Sequence, residues 1–371
     1  MAAAQASSTV DSGLKTHHRQ QASPWRTTTM VTRFHGGYFR ISLALSGQAM
    51  LWRTLIVSSS SDAQLLLLPS AAFLLLWSLA LVALCALCAL YAARCVLRFP
   101  AVRAEFRHHV AMNYLFAPWI SCLLLLQSAP FLRPEAAPYR LLWCAFSLPI
   151  LALDVKIYGQ WFTRGRKFLS MVANPASHMT VIANLVTARA AAHMGWHEAA
   201  VAIFAVGAAH YLVLFVTLYQ RFLGSDSLPA MLRPVFFLFF AAPSMASLAW
   251  DAISSSFDTC SKMLFFLSLF LFASLVSRPS LFKRSMRRFS VAWWAYSFPL
   301  TVLALASGEY AQAVRGAAAN ALMLALAVLS VAVTLALMLF SALRTADLLP
   351  QDDPFHFPPP PLPIVAARVL H

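Results

Sequence analysis

Long apolar runs alternate with short polar breaks from residue 37 to residue 343. Each run is near the roughly 20 residues that an α-helix needs to cross a hydrocarbon core of about 30 Å. The pattern predicts ten spans: Gly37–Val57, Pro69–Leu97, Asn113–Phe131, Tyr139–Trp161, Pro175–Gly195, His197–Phe222, Arg233–Trp250, Ser261–Ser277, Ser290–Gly308 and Ala317–Leu343. The even spans two, eight and ten are nearly uniform Leu, Ala, Val and Phe, as helices facing lipid should be. Several odd spans differ in kind. The first carries Ser42, Ser46, Gly47 and Gln48, and the fifth carries Asn174, Ser177, Thr180, Asn184 and Thr187. Odd spans therefore read as interior and even spans as mostly exterior, although Pro149 in the fourth breaks the pattern. The expectation is an all-α polytopic membrane protein, with five helical hairpins arranged around an axis.

Three odd spans also contain an internal proline: Pro118 in the third, Pro243 in the seventh and Pro299 in the ninth. A proline removes a backbone hydrogen bond and kinks or unwinds the helix around it. In lipid, that disruption is tolerated only where the freed carbonyl faces protein or a water-filled path. In V-A-W-W-A-Y-S-F-P-L, residues 291–300, the bulky Phe298 stands directly before the break. Two readings stand: a kinked pore-lining helix that Phe298 plugs, or a packed membrane helix with an ordinary core phenylalanine.

Composition agrees with a membrane protein. The 371 residues are 60% hydrophobic and only 11% charged, with a mean hydropathy of +0.69, whereas soluble domains carry roughly 25% charged residues. The formal net charge of +15 lies in short clusters between apolar runs, which points to membrane topology and away from nucleic acid. Arg98, Arg103 and Arg107 follow the second span, Arg164, Arg166 and Lys167 the fourth, and Arg221 and Arg233 the sixth. Arg278, Lys283, Arg284, Arg287 and Arg288 follow the eighth, but only Arg133 and Arg315 follow odd spans. Cytoplasmic loops carry the excess of Lys and Arg, so both termini are expected in the cytoplasm. The expected domains are a cytoplasmic N-terminal tail (1–35), a ten-helix membrane domain (36–343) and a Pro-rich cytoplasmic tail (344–371). The Pro358–Pro361 run favours polyproline II, either as a solvated tail or as a docking peptide for an SH3-like or WW-like module.

No metalloprotease, phosphate-loop or nucleophile-elbow motif occurs, so neither an enzyme nor a bound cofactor or metal is expected. Cys85 and Cys88 form C-x-x-C inside an apolar run without a second Cys/His pair, which reads as packing. His210 lies mid-span, as a helix contact or as a proton relay or metal ligand. Asp154 and Lys156, near the cytoplasmic end of the fourth span, read as snorkelling or mutually paired. Arg40 and Arg189 stand on odd helices, where a cation beside a water-filled path attracts anions; the competing reading is snorkelling to headgroups. Phe116, beside Pro118, is grouped with these two arginines as a pore-lining candidate.

The stretches G-Y-F-R-I-S-L-A-L-S-G-Q-A-M-L-W, N-Y-L-F-A-P-W, D-V-K-I-Y-G-Q-W-F, K-F-L-S-M-V-A-N-P-A-S-H, A-H-Y-L-V-L-F-V-T-L-Y-Q-R and V-A-W-W-A-Y-S-F-P-L together span roughly residues 36 to 309. In them the chain resembles the plant slow-type (S-type) anion channels, relatives of the bacterial tellurite-resistance protein and the yeast malic acid transporter. The resemblance implies ten helices in five hairpins around one pore per subunit, and a trimer. It also implies passive efflux of chloride, nitrate or other small anions across the plasma membrane, and it places the occluding aromatic on Phe298. Two departures matter. The guard-cell members have a long serine-rich N-terminus through which kinases activate them, whereas about 35 residues precede the first span here, with Ser7, Ser8 and Thr27–Thr29 available. Conducting members read G-x-F-G-I where this chain has Gly37-Tyr38-Phe39-Arg40-Ile41. Both departures resemble the short homologue branch and leave three functions to weigh: a conducting subunit, a silent subunit modifying a conducting paralogue in a mixed trimer, and a proton-coupled dicarboxylate carrier using His210.

Overall fold

The computed structural model describes residues 31, 34–59, 70–163, 173–223, 230–283 and 289–348. The tail serines and threonines and the Pro-rich run lie outside the described residues. All regular structure among the described residues is helical. The long helices are α1 (Phe39–Ser59), α2 (Ser70–Leu97), α4 (Ala117–Gln127), α5 (Ala137–Thr163), α6 (His178–His193), α7 (His197–Leu223), α8 (Leu238–Ser254), α9 (Thr259–Val276), α10 (Ser297–Val314) and α11 (Ala317–Leu343). A short helix, α3 (Phe99–Arg107), stands between α2 and α4.

Seven helical stretches are long and apolar enough to cross a membrane, or eight if the bent pair Phe99–Arg107 and Ala111–Gln127 is one span. The first and fifth expected spans are not among them. In α1 the run is broken by Arg40, Ser42, Ser46, Gln48 and Arg53, and α6 has only 16 residues. These departures share one cause, because both helices are enclosed by protein. The polar side chains of α6, including Thr180, Asn184 and Thr187, are buried. A helix shielded from lipid has no need of a uniformly apolar surface.

Helices α1, α4, α6, α8 and α10 pack against one another in a closed circuit, α10 returning to α1. Each is backed by the helix after it: α2 on α1, α5 on α4, α7 on α6, α9 on α8 and α11 on α10. Burial follows the same division. The Val291–Val314 stretch is mostly buried, whereas Ser70–Leu97 is mostly exposed.

Every inner helix is entered through a 3-10 segment: Gly36–Tyr38, Ala111–Phe116, Pro175–Ser177, Ala230–Phe237 and Val291–Tyr296. Local chemistry favours these entries. His35 accepts from the Gly37 amide, and Asn174 and Ser177 form a reciprocal capping box. The prolines act differently from a simple kink. Pro118 and Pro299 stand in the first turn of α4 and α10, where an amide has no intrahelical acceptor and its loss costs little. Pro243 does lie inside its helix, α8, and Pro149 inside α5.

Side-chain hydrogen bonds fasten the inner helices to their surroundings. Gln48 of α1 donates to Thr301 of α10 (2.9 Å) and to Ser330 (2.7 Å) and Thr334 (2.9 Å) of α11. Ser297 bonds Thr334 at 2.7 Å, and Ser42 of α1 bonds Ser121 of α4 at 3.2 Å.

Candidate functional site

The two ends of the inner circuit form two distinct cavities. At one end, Arg40 and Leu43 of α1, Tyr114 before α4, Met179 of α6, Val235 and Leu238 at the start of α8, and Trp294, Phe298 and Pro299 of the α10 entry line a common space. All five inner segments thus bring their N-terminal ends to one point, so the inner helices run parallel. The space is only ≈ 10 Å³, at the limit for one water molecule. Phe298 fills it. The side chain is 2% exposed, and its Cδ2 would lie 3.2 Å from a Cβ added at Gly47 of the neighbouring α1. A Cβ here would be tight against the ring, so glycine favours this close approach of α1.

At the other end, Met50, Arg53 and Thr54 of α1, Gln127 of α4, Arg189 and His193 of α6, and Glu309 and Gln312 of α10 line a wider cavity of ≈ 390 Å³, joined by Tyr139 and Pro134. Phe298 and Glu309 lie on the same helix, about 16 Å apart along its axis at the α-helical rise. The narrow space at Phe298 (the waist) and the wider cavity (the vestibule) thus lie toward opposite ends of α10.

Fixed cations mark both ends. The Arg40 guanidinium is buried and lies 4.4 Å over the Tyr114 ring, and its Nε and Nη1 have no hydrogen-bond partner. Arg189 Nη1 donates to Gln127 Oε1 at 3.1 Å, while its Nε is unpartnered. Arg53 Nη1 caps the carbonyl end of α4, donating to the Gln127 and Ala129 oxygens. Helix N-termini carry partial positive charge, so five of them converging beside Arg40 add to its attraction for an anion.

The structure brings Arg40 and Phe298 together at the waist and sets Arg189 in the vestibule. Phe116 is fully buried at the turn into α4 and lines neither cavity, whereas Tyr114, two residues earlier, does. Glu309, Arg53 and Tyr114 join the site without having been singled out as site residues in the sequence. Arg53 and Glu309 share their helices with Arg40 and Phe298, but nothing in the sequence shows which way these side chains or Tyr114 turn. Asp154 and Lys156 do not pair. Asp154 is buried beside Asn184, and Lys156 donates to the Phe106 carbonyl at 2.8 Å with its ammonium 3.4 Å from the Phe106 ring centroid. His210 stacks on Tyr158 at 3.7 Å and lines neither cavity.

Comparison with known proteins places the sequence in a family. Residues 33–342 match the family described as SLAC1, voltage-dependent anion channel. The chain is 54% identical to the S-type anion channel SLAH1 of Arabidopsis thaliana over 333 residues, covering 89% of this chain and 86% of that one. It is 53% identical to S-type anion channel SLAH4 of the same plant, covering 89% of each. Against the guard cell S-type anion channel SLAC1 of that plant it is 43% identical, covering 85% of this chain and 56% of the longer relative. With a family match across nearly all of the helical region and relatives more than 50% identical over most of its length, the chain belongs to the SLAC1 voltage-dependent anion channel family.

Proposed function

We propose that the chain is an S-type anion channel subunit that carries small anions, chloride and nitrate, passively across the plasma membrane. The observation that carries this reading is the convergence of all five inner helix entries on the Phe298 waist beside Arg40. In this reading the long helices form ten spans as five hairpins, the axis is the pore, and Phe298 is its gate. The arginine distribution orients the waist toward the cytoplasm, with both termini on that side. An anion from the cytoplasm meets Arg40 and the five helix N-termini, passes when the Phe298 ring swings aside, and leaves through the vestibule containing Arg53 and Arg189. Subunits assemble as homotrimers or as heterotrimers with conducting relatives, under control of a regulatory kinase.

The decisive experiment compares anion flux of the purified chain and its Phe298→Ala variant in liposomes. Burying a phenylalanine favours the closed arrangement by about 1.5–3 kcal/mol, so its removal raises basal flux about 10- to 100-fold. Absence of anion flux in both proteins would overturn the reading.

Arg40 favours a second reading, an electrically silent subunit that modifies a conducting relative, because this long cation stands where conducting members carry glycine. Voltage clamp of the chain alone and co-expressed with a long-tailed relative separates the two. A current alone that reverses with the anion gradient supports the first; silence alone with an altered partner current supports the second. His210, the residue assigned to the carrier reading, is away from both cavities.

A further inference from the structure

Helix α3 takes no part in the axis, and its two faces are unlike. Val102 and Glu105, three residues apart, are buried, whereas Phe99, Pro100, Arg103, Ala104, Phe106 and Arg107 are exposed. Phe99, Arg103, Arg107 and His108 line an open depression of ≈ 530 Å³. Glu105 is the only acid of this helix, and it is turned inward into an ion pair with Arg94 at 3.3 Å. The outward face is therefore basic without a carboxylate of its own helix to offset it.

Its apolar neighbours identify what the basic face meets. Val96 and Leu97, at the end of the lipid-facing α2, are 82% and 65% exposed, and Phe99 is 63% exposed. The chain then turns by 105° between α3 and the helical stretch Ala111–Gln127. A short helix lying across the end of a span, with exposed aromatic rings and arginines, suits the boundary between headgroups and acyl chains.

We propose that the outward face of α3 is a binding site for an anionic phospholipid, its phosphate held by Arg103 and Arg107 and its acyl chains lying along Phe99 and the end of α2. The guanidinium fork matches a phosphate in shape as well as charge. A soluble acidic partner would match the arginines but would leave the apolar strip from Val96 to Phe99 uncovered. The inward face connects this site to the axis. Glu105 Oε1 accepts from the Gly36 amide at 2.7 Å, in the turn that enters α1 four residues before Arg40. That connection to gating rests on the channel reading, whereas lipid binding does not.

The test is native mass spectrometry of the purified full chain with equal concentrations of dioleoyl phosphatidylserine and dioleoyl phosphatidylcholine. The wild type is expected to retain an excess of phosphatidylserine adducts. Arg103→Gln with Arg107→Gln should reduce the excess about fivefold per arginine, Arg103→Lys with Arg107→Lys should keep most of it, and Arg133→Gln should leave it unchanged. Equal adducts of both lipids on the wild type, or an excess undiminished in the double glutamine variant, would overturn the proposal. So would preference for a soluble polyglutamate peptide over phosphatidylserine, which would assign the face to a protein. The measurement uses no ion flux, so a silent channel and an unbound lipid are separate results.

Discussion

Arg40 sits where size and charge act in opposite directions. Its side chain helps to fill the waist beneath Phe298, while its unpartnered donors make the same place attractive to an anion. A unit charge about 5 Å from an anion is worth a few kcal/mol at an effective dielectric constant near 20. In a Phe298→Ala background, Arg40→Gly is therefore expected to raise the maximal anion current and to increase the half-saturating anion concentration about tenfold or more. Arg40→Lys keeps the charge and should leave half-saturation near that of the parent. Current measured against anion concentration separates the two parameters; if neither moves in Arg40→Gly, the guanidinium is not exposed to the permeating ion. The presence of Arg40 and Phe298 on odd spans was legible in the sequence, but the parts played by Tyr114 and Glu309 were not. Their placement depends on how five helices are rotated about a shared axis, which a single span's composition does not encode.

The inner helices are held in register by polar groups in an apolar layer. The Gln48 amide has two hydrogens and lies within bonding distance of Thr301, Ser330 and Thr334, so it serves α10 and α11 together. Thr301 stands one turn beyond Phe298 on α10. Hydrogen bonds between membrane helices contribute about 0.6–2 kcal/mol each. Gln48→Leu is expected to lower the melting temperature of the purified protein by several degrees and, if Phe298 is the proposed gate, to raise basal leak in liposomes, because α10 loses a fixed partner one turn beyond Phe298. An unchanged melting temperature would mean that α11 alone holds α10 in place. Interior and exterior helices were legible because polar residues gather on the odd spans and vanish from most even ones. The 3-10 entries were not, since Pro118 and Pro299 read equally well as kinks inside a helix and as residues of its first turn. Helix α3 was hidden for a different reason: nine residues with three of their number charged are too few for a periodic pattern to stand out.

At the scale of the whole molecule, the parallel inner helices give the channel a direction. Their N-terminal ends surround the narrow waist and their C-terminal ends surround the vestibule, so the electrostatic character of the two mouths follows from chain polarity as well as from side chains. Which mouth faces the cytoplasm rests on the bias of Lys and Arg toward one set of loops. Two exposed serines on opposite sides of α9 turn this into a measurement. Ser256 lies in the connection from α8 to α9, on the vestibule side, and Ser280 follows α9 on the waist side. In intact cells, a membrane-impermeant maleimide should label Ser256→Cys above the background of the native cysteines, and Ser280→Cys only after permeabilisation. The reverse pattern would invert the channel, placing Arg40 and the gate at the outer mouth. Equal labelling of both sites in intact cells would put them on one side and remove α9 as a span. Because the five inner segments bring their N-terminal ends to one cavity, the orientation of α9 carries with it that of all the inner helices and, in the proposed reading, the side from which an anion first meets Phe298.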